Sequence, residues 1–170
     1  MIDLTLDLTI NLKNRRLHPL IVKTLIWPDE AATQAFAQKL ATQPAFGHAM
    51  LELRGDLGAG KTTFVRYLLQ ALGVTGRIKS PTYAVVEPYT LAHLSIWHFD
   101  FYRFNDSDEW EEAGFREIFA NPGLKLVEWP EKAGRYLPQA DLVIAIEVLA
   151  GNARAITLTA WSTTGEALLA

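Results

Sequence analysis

The sequence predicts an α/β domain in three layers, built on a mixed sheet with a parallel centre and antiparallel edges. Three observations carry this. Short apolar runs bounded by turn residues, MLELRG and LKLVEW, read as strands. Between them lie segments with helical periodicity, such as KTTFVRYLLQAL. The chain then closes on two β-rich runs, DLVIAIEVLA and ARAITLTAW, joined by the hairpin signal Gly151-Asn152.

The elements follow in order. MIDLTLDLTINL alternates apolar and polar residues with period two, the pattern of a half-buried strand, and NRRLHP breaks it. Residues 1–19 are therefore either an added edge strand or an extension foreign to the main domain, which is placed at 20–163. LIVKTLIW (20–27) is the next strand. Asp29 is placed to cap a helix over 30–42, with Ala32, Phe36 and Leu40 on one stripe. After strand MLELRG comes helix KTTFVRYLLQAL, which Gly73 is placed to stop. GRIKSP is a loop. YAVVEPYT and LAHLSIWHFDFYRF form two strands joined by a short turn. Asp106 and Glu109 make a capping box that opens a helix reaching about Ala120. NPG turns into strand LKLVEW, and a short helical piece near EKAGRY leads into the closing hairpin. The tail, 164–170, is expected to be loose.

Composition bounds the function. The chain has 170 residues, enough for one domain with a sizeable core, and 49% of them are hydrophobic. The absence of cysteine removes disulfides, thiolate metal sites and cysteine nucleophiles together. A formal net charge of −3 and no dense Lys/Arg tract disfavour autonomous nucleic-acid binding, although a small basic spot on the folded surface stays open. There is no long uninterrupted apolar run and no signal or transit peptide pattern, so a cytoplasmic protein without membrane spans is expected.

Gly55 to Thr62 reads GDLGAGKT, the pattern G-x-x-x-x-G-K-[ST], between an apolar strand and an amphipathic helix. Glycines there let the backbone curl so that successive N–H groups face phosphate oxygens at the helix N-terminus. The expected contacts are Gly58, Ala59, Gly60, Lys61, Thr62 and Thr63. Lys61 is assigned to the β- and γ-phosphates, the Thr62 hydroxyl to Mg²⁺, and Thr63 to the neighbourhood of the α-phosphate. Such a loop needs a carboxylate at the end of a nearby strand. Asp100, ending IWHFD, and Glu128, ending LKLVE, both qualify, and spacing does not rank them. Alternation in IWHFD puts Ile96, His98 and Asp100 on one face and Trp97, Phe99 and Phe101 on the other. Ser80-Pro81-Thr82-Tyr83 is either a simple Ser-Pro turn or a switch segment that senses the γ-phosphate. Arg77, Lys79 and Arg103 are candidates for a phosphate or a partner.

The class is narrowed by what is missing from the sequence: N-K-x-D, D-x-x-G, LSGGQ and an arginine-rich lid insertion. A compact ATP-binding core of the P-loop NTPase type remains. The alternatives are a small-molecule kinase and a module that holds nucleotide without turning it over.

GDLGAGKTT, then KSPTY with VEPY, then HFDFYR, then LVEWP, in this order and spacing, resemble the TsaE (formerly YjeE) family. That family provides the ATPase of bacterial threonylcarbamoyladenosine synthesis on tRNA. The likeness runs from about Trp27 to about Trp161, and the closing GNARAI region matches loosely. The resemblance implies ATP or ADP and Mg²⁺ as ligands, with Thr62 and Glu128 as the metal contacts. It makes Asp100 a carboxylate required for function, and it puts Glu30 near the nucleotide. It also implies two partners, a TsaD-like transferase and a TsaB-like scaffold, with tRNA met only through their complex. With no arginine finger evident in the sequence, hydrolysis is expected to be slow alone and faster in the complex. Trp129 and Pro130 are read as fixing the turn that aims Glu128.

Overall fold

The structure, a computed structural model, describes residues 15–170; the alternating N-terminal segment read as a strand lies outside them. Seven strands form one sheet: β1 (Ile21–Trp27), β2 (Met50–Arg54), β3 (Val86–Thr90), β4 (Ser95–Asp100), β5 (Leu124–Glu128), β6 (Leu142–Val148) and β7 (Arg154–Ala160). Their order is β1-β7-β6-β2-β5-β4-β3. β6, β2, β5 and β4 run parallel, while β7, β1 and β3 are antiparallel to their neighbours. This is the mixed sheet expected from the sequence. The central strands β2 and β5 are buried almost throughout because both of their faces are covered, and they carry the buried charged residues Glu52, Lys125 and Glu128 among their apolar ones.

The two faces carry separate cores. Leu51, Leu53, Leu124, Leu126 and Ile144 pack on one side with Leu40 of helix α1 (Glu30–Ala41) and Phe64 and Leu68 of α2 (Lys61–Leu72). Met50, Phe99, Phe101 and Val127 pack on the other with Trp110 and Phe115, from the short helices α3 (Glu109–Glu112) and α4 (Arg116–Ala120) and the turn between them. Trp27, closing β1, stacks on Phe64 at 5.8 Å and lies tilted 5.4 Å from Phe36, tying the outer strand to both large helices.

Local signals explain most boundaries. Asp29 caps α1, its carboxylate accepting from the Ala32 amide at 2.9 Å. Gly73 ends α2 in the left-handed region, φ 104°, where a side chain is disfavoured. Glu109 reaches back to the Asp106 amide at 3.0 Å, completing its half of the capping box.

Two expectations are corrected. The helix over 106–120 is two helices, because the chain turns at Gly114 with φ 72°. The turn brings Phe115 edge-on to Phe99 at 5.2 Å. The tail is not loose. Thr163–Leu168 forms helix α6, following α5 (Pro130–Ala133) in the chain order. Ser162 caps it by accepting from the Gly165 amide at 3.1 Å, and Leu168 is buried in the first core. Arg15, at the start of the described chain, donates to the Leu137 carbonyl at 2.6 Å.

Candidate active site

Three parallel strands end side by side at one edge of the sheet, the edge where open α/β sheets take their ligands. β2 runs into the loop 55–60, β5 ends at Glu128 and β4 ends at Asp100. Register pairs Leu53 with Glu128 and Glu128 with Asp100. Gly58 and Gly60 have φ of 81° and 113°, and a Cβ added at either meets nothing within 4 Å. The loop is therefore open toward solvent and curls as only glycine permits at no steric cost. It delivers the chain into the N-terminus of α2.

Lys61 is buried, its ammonium donating to the carbonyls of Gly55 at 2.6 Å and Asp56 at 2.9 Å. Burial pulls its pKa below the ordinary lysine value, opposed by the charges of Glu128, Glu131, Asp100 and Asp56. The same ammonium lies 4.0 Å from the centre of the Trp129 ring. Trp129 itself has φ 56°, unusual for a side-chain-bearing residue, and Pro130 follows at the first position of α5. That strained corner ends β5 immediately after Glu128.

The two carboxylates have different partners. The Thr62 hydroxyl reaches both oxygens of Glu128, at 3.0 and 2.9 Å. The His98 Nε2 lies 2.8 Å from Glu128 Oε1, and the ring is fully buried. Asp100 Oδ2 instead accepts from Ser80 and, at 3.1 Å, from Thr82, while Oδ1 accepts from the Tyr102 amide at 2.9 Å. The segment between Ser80 and β3 contains Val85 at φ 68°, a costly conformation for a β-branched residue.

Two clefts meet at the loop. One, of about 270 Å³, brings together Lys61, Thr62, Thr63, Asp100, Glu128 and Trp129. The other, of about 230 Å³, lies on the far side of Gly58, Ala59 and Gly60 and is lined by Glu30, Thr63, Trp27, Asn152 and Arg154. Glu30 is thus apart from the two strand-end carboxylates, and its side chain accepts from the Tyr67 hydroxyl at 2.6 Å. Sequence reasoning missed Trp27, Asn152 and Arg154. Arg154 donates to the Ala59 carbonyl at 2.8 Å, so the closing hairpin props the loop. The hairpin signal at Gly151-Asn152, and with it the pairing of β6 with β7, was readable; that β6 lies beside β2, which brings the hairpin to the loop, was not. The buried indole N–H of Trp27 has no partner among the described residues.

The chemistry of this donor set suits a hard divalent cation. A hydroxyl and a carboxylate face each other at the end of a strand, and magnesium takes oxygen ligands and keeps several waters. No cluster of three His, Cys, Asp or Glu able to hold a metal occurs among the described residues.

Strand, glycine loop, helix and neighbouring strand-end carboxylates define an α/β protein of the P-loop type. The model of the family described as threonylcarbamoyl adenosine biosynthesis protein TsaE matches residues 27–156. The chain is 41% identical over 149 residues to the tRNA threonylcarbamoyladenosine biosynthesis protein TsaE of Haemophilus influenzae, covering 84% of this chain and 92% of that one. Against the Bacillus subtilis protein of the same name the identity is 40% over 143 residues, 82% and 87% of the two chains. The crystal structure of Bacillus subtilis YdiB matches with a TM-score of 0.70 at 34% identity, covering 88% of this chain and 93% of that one. The chain belongs to the TsaE family.

Proposed function

We propose that this protein is the ATP-binding and ATP-hydrolysing component of the tRNA N6-threonylcarbamoyladenosine modification machinery. It acts in the cytoplasm with a TsaD-like transferase and a TsaB-like scaffold, sustains their turnover, and meets tRNA through that complex. The family's role supports the setting. Among the described residues, no helix is long and apolar enough to cross a membrane. One observation carries the chemistry: the Thr62 hydroxyl at the head of α2 bonded to the Glu128 carboxylate, beneath an open glycine loop.

The residues divide the work. The backbone N–H groups of the loop and of the first turn of α2 hold the phosphate chain. Lys61, already inside the cleft, neutralises its charge, and the incoming anion offsets the burial that lowers the lysine's pKa. Thr62 and Glu128 hold Mg²⁺, which when bound supplies a Lewis acid on the phosphate oxygens. Asp100 and Glu128 are the two carboxylates in reach of an attacking water, and Ser80, Thr82 and the Tyr102 amide fix the orientation of Asp100. Trp27, Asn152 and Arg154 line the side on which the nucleoside rests.

Lys61 is the only basic residue among those lining the phosphate-side cleft. Without an arginine there to stabilise the transition state, hydrolysis is slow until a partner completes the site. Phosphate release should therefore rise at least about 10-fold when TsaD and TsaB are added. Thr62→Ala should lower the stimulated rate by about 10- to 100-fold, and Asp100→Ala should remove most of the stimulation. Equal turnover with and without the partners would overturn the partner dependence. Full stimulated activity in Asp100→Ala would remove that residue from the mechanism.

A further inference from the structure

A third cleft, of about 550 Å³, adjoins the phosphate-side cleft and shares Thr62 and Ser80 with it. Arg66, Arg77 and Lys79 line it, and no carboxylate does. Arg66, on α2, is half-buried, while Arg77 and Lys79, on the loop that follows, are exposed. None of the three forms an ion pair with another described residue. In a chain of formal net charge −3, three unpaired cations gathered in one groove are a local reversal of sign. Such a concentration steers and holds an anion.

The surroundings say which kind. Tyr83, 84% exposed, carries the Arg103 guanidinium 4.0 Å from its ring centre. Leu57, at the mouth of the phosphate-side cleft, is 72% exposed. Tyrosine and arginine are the side chains that anchor protein interfaces, and an exposed leucine gains nothing from a phosphodiester strand. A long polyanion would also meet the net negative charge carried by the rest of the molecule, whereas a short acidic loop needs only these three cations.

We propose that the groove of Arg66, Arg77 and Lys79 is the docking site for an acidic segment of a partner protein. Docking reaches the catalytic cleft through Thr62 and Ser80, which line both. Ser80 also holds Asp100, so an occupant that draws on Ser80 alters the setting of that carboxylate. The inference rests on the reading of the chain as a partner-dependent ATPase and adds where the partner binds.

The test uses the full chain with Arg66→Ala, Arg77→Ala and Lys79→Ala combined. Affinity for the TsaD–TsaB pair, measured by fluorescence anisotropy with ATP and Mg²⁺, should fall about 10-fold or more at low salt. The fall should shrink as salt screens the wild type. ATP affinity and the unfolding midpoint should match the wild type, which shows that fold and cleft are intact. A decaglutamate peptide and a decauridylate, each titrated into the wild type, probe the groove without partners. Decaglutamate should shift the backbone amide resonances of residues 66–80, and decauridylate should not. Unchanged partner affinity in the triple variant overturns the proposal, as does the absence of any shift with decaglutamate. Preferential binding of decauridylate also overturns it and assigns the groove to RNA. If the variant loses docking while the wild-type complex releases no phosphate, the groove stands and the hydrolysis reading fails. If variant and wild type are stimulated equally, the groove fails and the hydrolysis reading stands.

Discussion

Glu128→Gln should lower partner-stimulated phosphate release by at least about 100-fold, close to 2.7 kcal/mol of lost transition-state stabilisation. The amide keeps the volume of the carboxylate and an oxygen able to accept from the Thr62 hydroxyl, which now reaches both oxygens at 3.0 and 2.9 Å. It removes the negative charge that, on the proposed reading, would hold a divalent cation at the end of β5. The loss should therefore appear as a higher Mg²⁺ concentration needed for half-maximal activity and as slower turnover, with the unfolding midpoint nearly unchanged. Glu128→Ala should behave differently. It strands His98, whose Nδ1 already has no partner among the described residues and whose Nε2 would lose Glu128. A fully buried ring with neither nitrogen satisfied costs about 1–3 kcal/mol of stability on top of the catalytic loss. Phosphate release, Mg²⁺ titration and urea unfolding on both variants separate the two effects. If Glu128→Gln released phosphate within about 3-fold of wild type, the metal and catalytic roles would pass to Asp100.

Gly165→Ala should cost about 3 kcal/mol or more, although it adds one methyl group in the first turn of a short helix. A Cβ built on Gly165 lies 1.9 Å from the Asp141 carbonyl oxygen, 2.6 Å from its carbon and 3.4 Å from the Ala160 Cα. All three are backbone atoms, so no flexible side chain can move aside. Relief requires α6 to lift from the sheet. That would part Ser162 from Asp141 and expose Leu168, which is 2% accessible. Asp141 also accepts from the Met50 amide at 2.7 Å, at the start of the central strand β2. The strain is therefore passed toward the centre of the sheet. In a chain of this size the midpoint should drop by roughly 6–12 °C. Gly47→Ala is the control: its added Cβ meets nothing within 4 Å, and its midpoint should stay within about 2 °C. A change in Gly165→Ala no larger than in Gly47→Ala would mean that α6 does not dock as described.

How much of this was legible in the sequence depended on whether the determinant was local. GDLGAGKT is local: the glycines, the lysine and the helix that follows lie in one stretch, and they form the loop and the head of α2. The central strands were legible as short runs rich in apolar residues and bounded by turn residues, although Glu52 and Lys125 interrupt them. The ranking of Asp100 against Glu128 did not come from spacing alone; only the family resemblance supplied it. It turns on which hydroxyl each carboxylate meets, Thr62 for one and Ser80 and Thr82 for the other, and those contacts span 18 to 66 residues of sequence. Arg154 escaped notice because its partner, Ala59, is 95 residues away. The tail was misread because Gly165 weakens helix propensity. What holds that helix is the Ser162 cap and a carbonyl of Asp141 packed too close for any other residue.

The pairing of Asp100 with Glu128 across β4 and β5 has a consequence for how the length of this chain can change. A residue gained or lost in 91–94, the turn closed by the Leu91 amide and the Leu94 carbonyl, alters only that turn. One residue deleted between Ser95 and Asp100, with the pairing to β5 kept at its far end, exchanges the two faces of β4. Phe101 would then be presented beside Glu128, and the carboxylate of Asp100 would be turned into the aromatic core that Phe99 and Phe101 now fill. Within β4 the site tolerates changes of residue far better than changes of number.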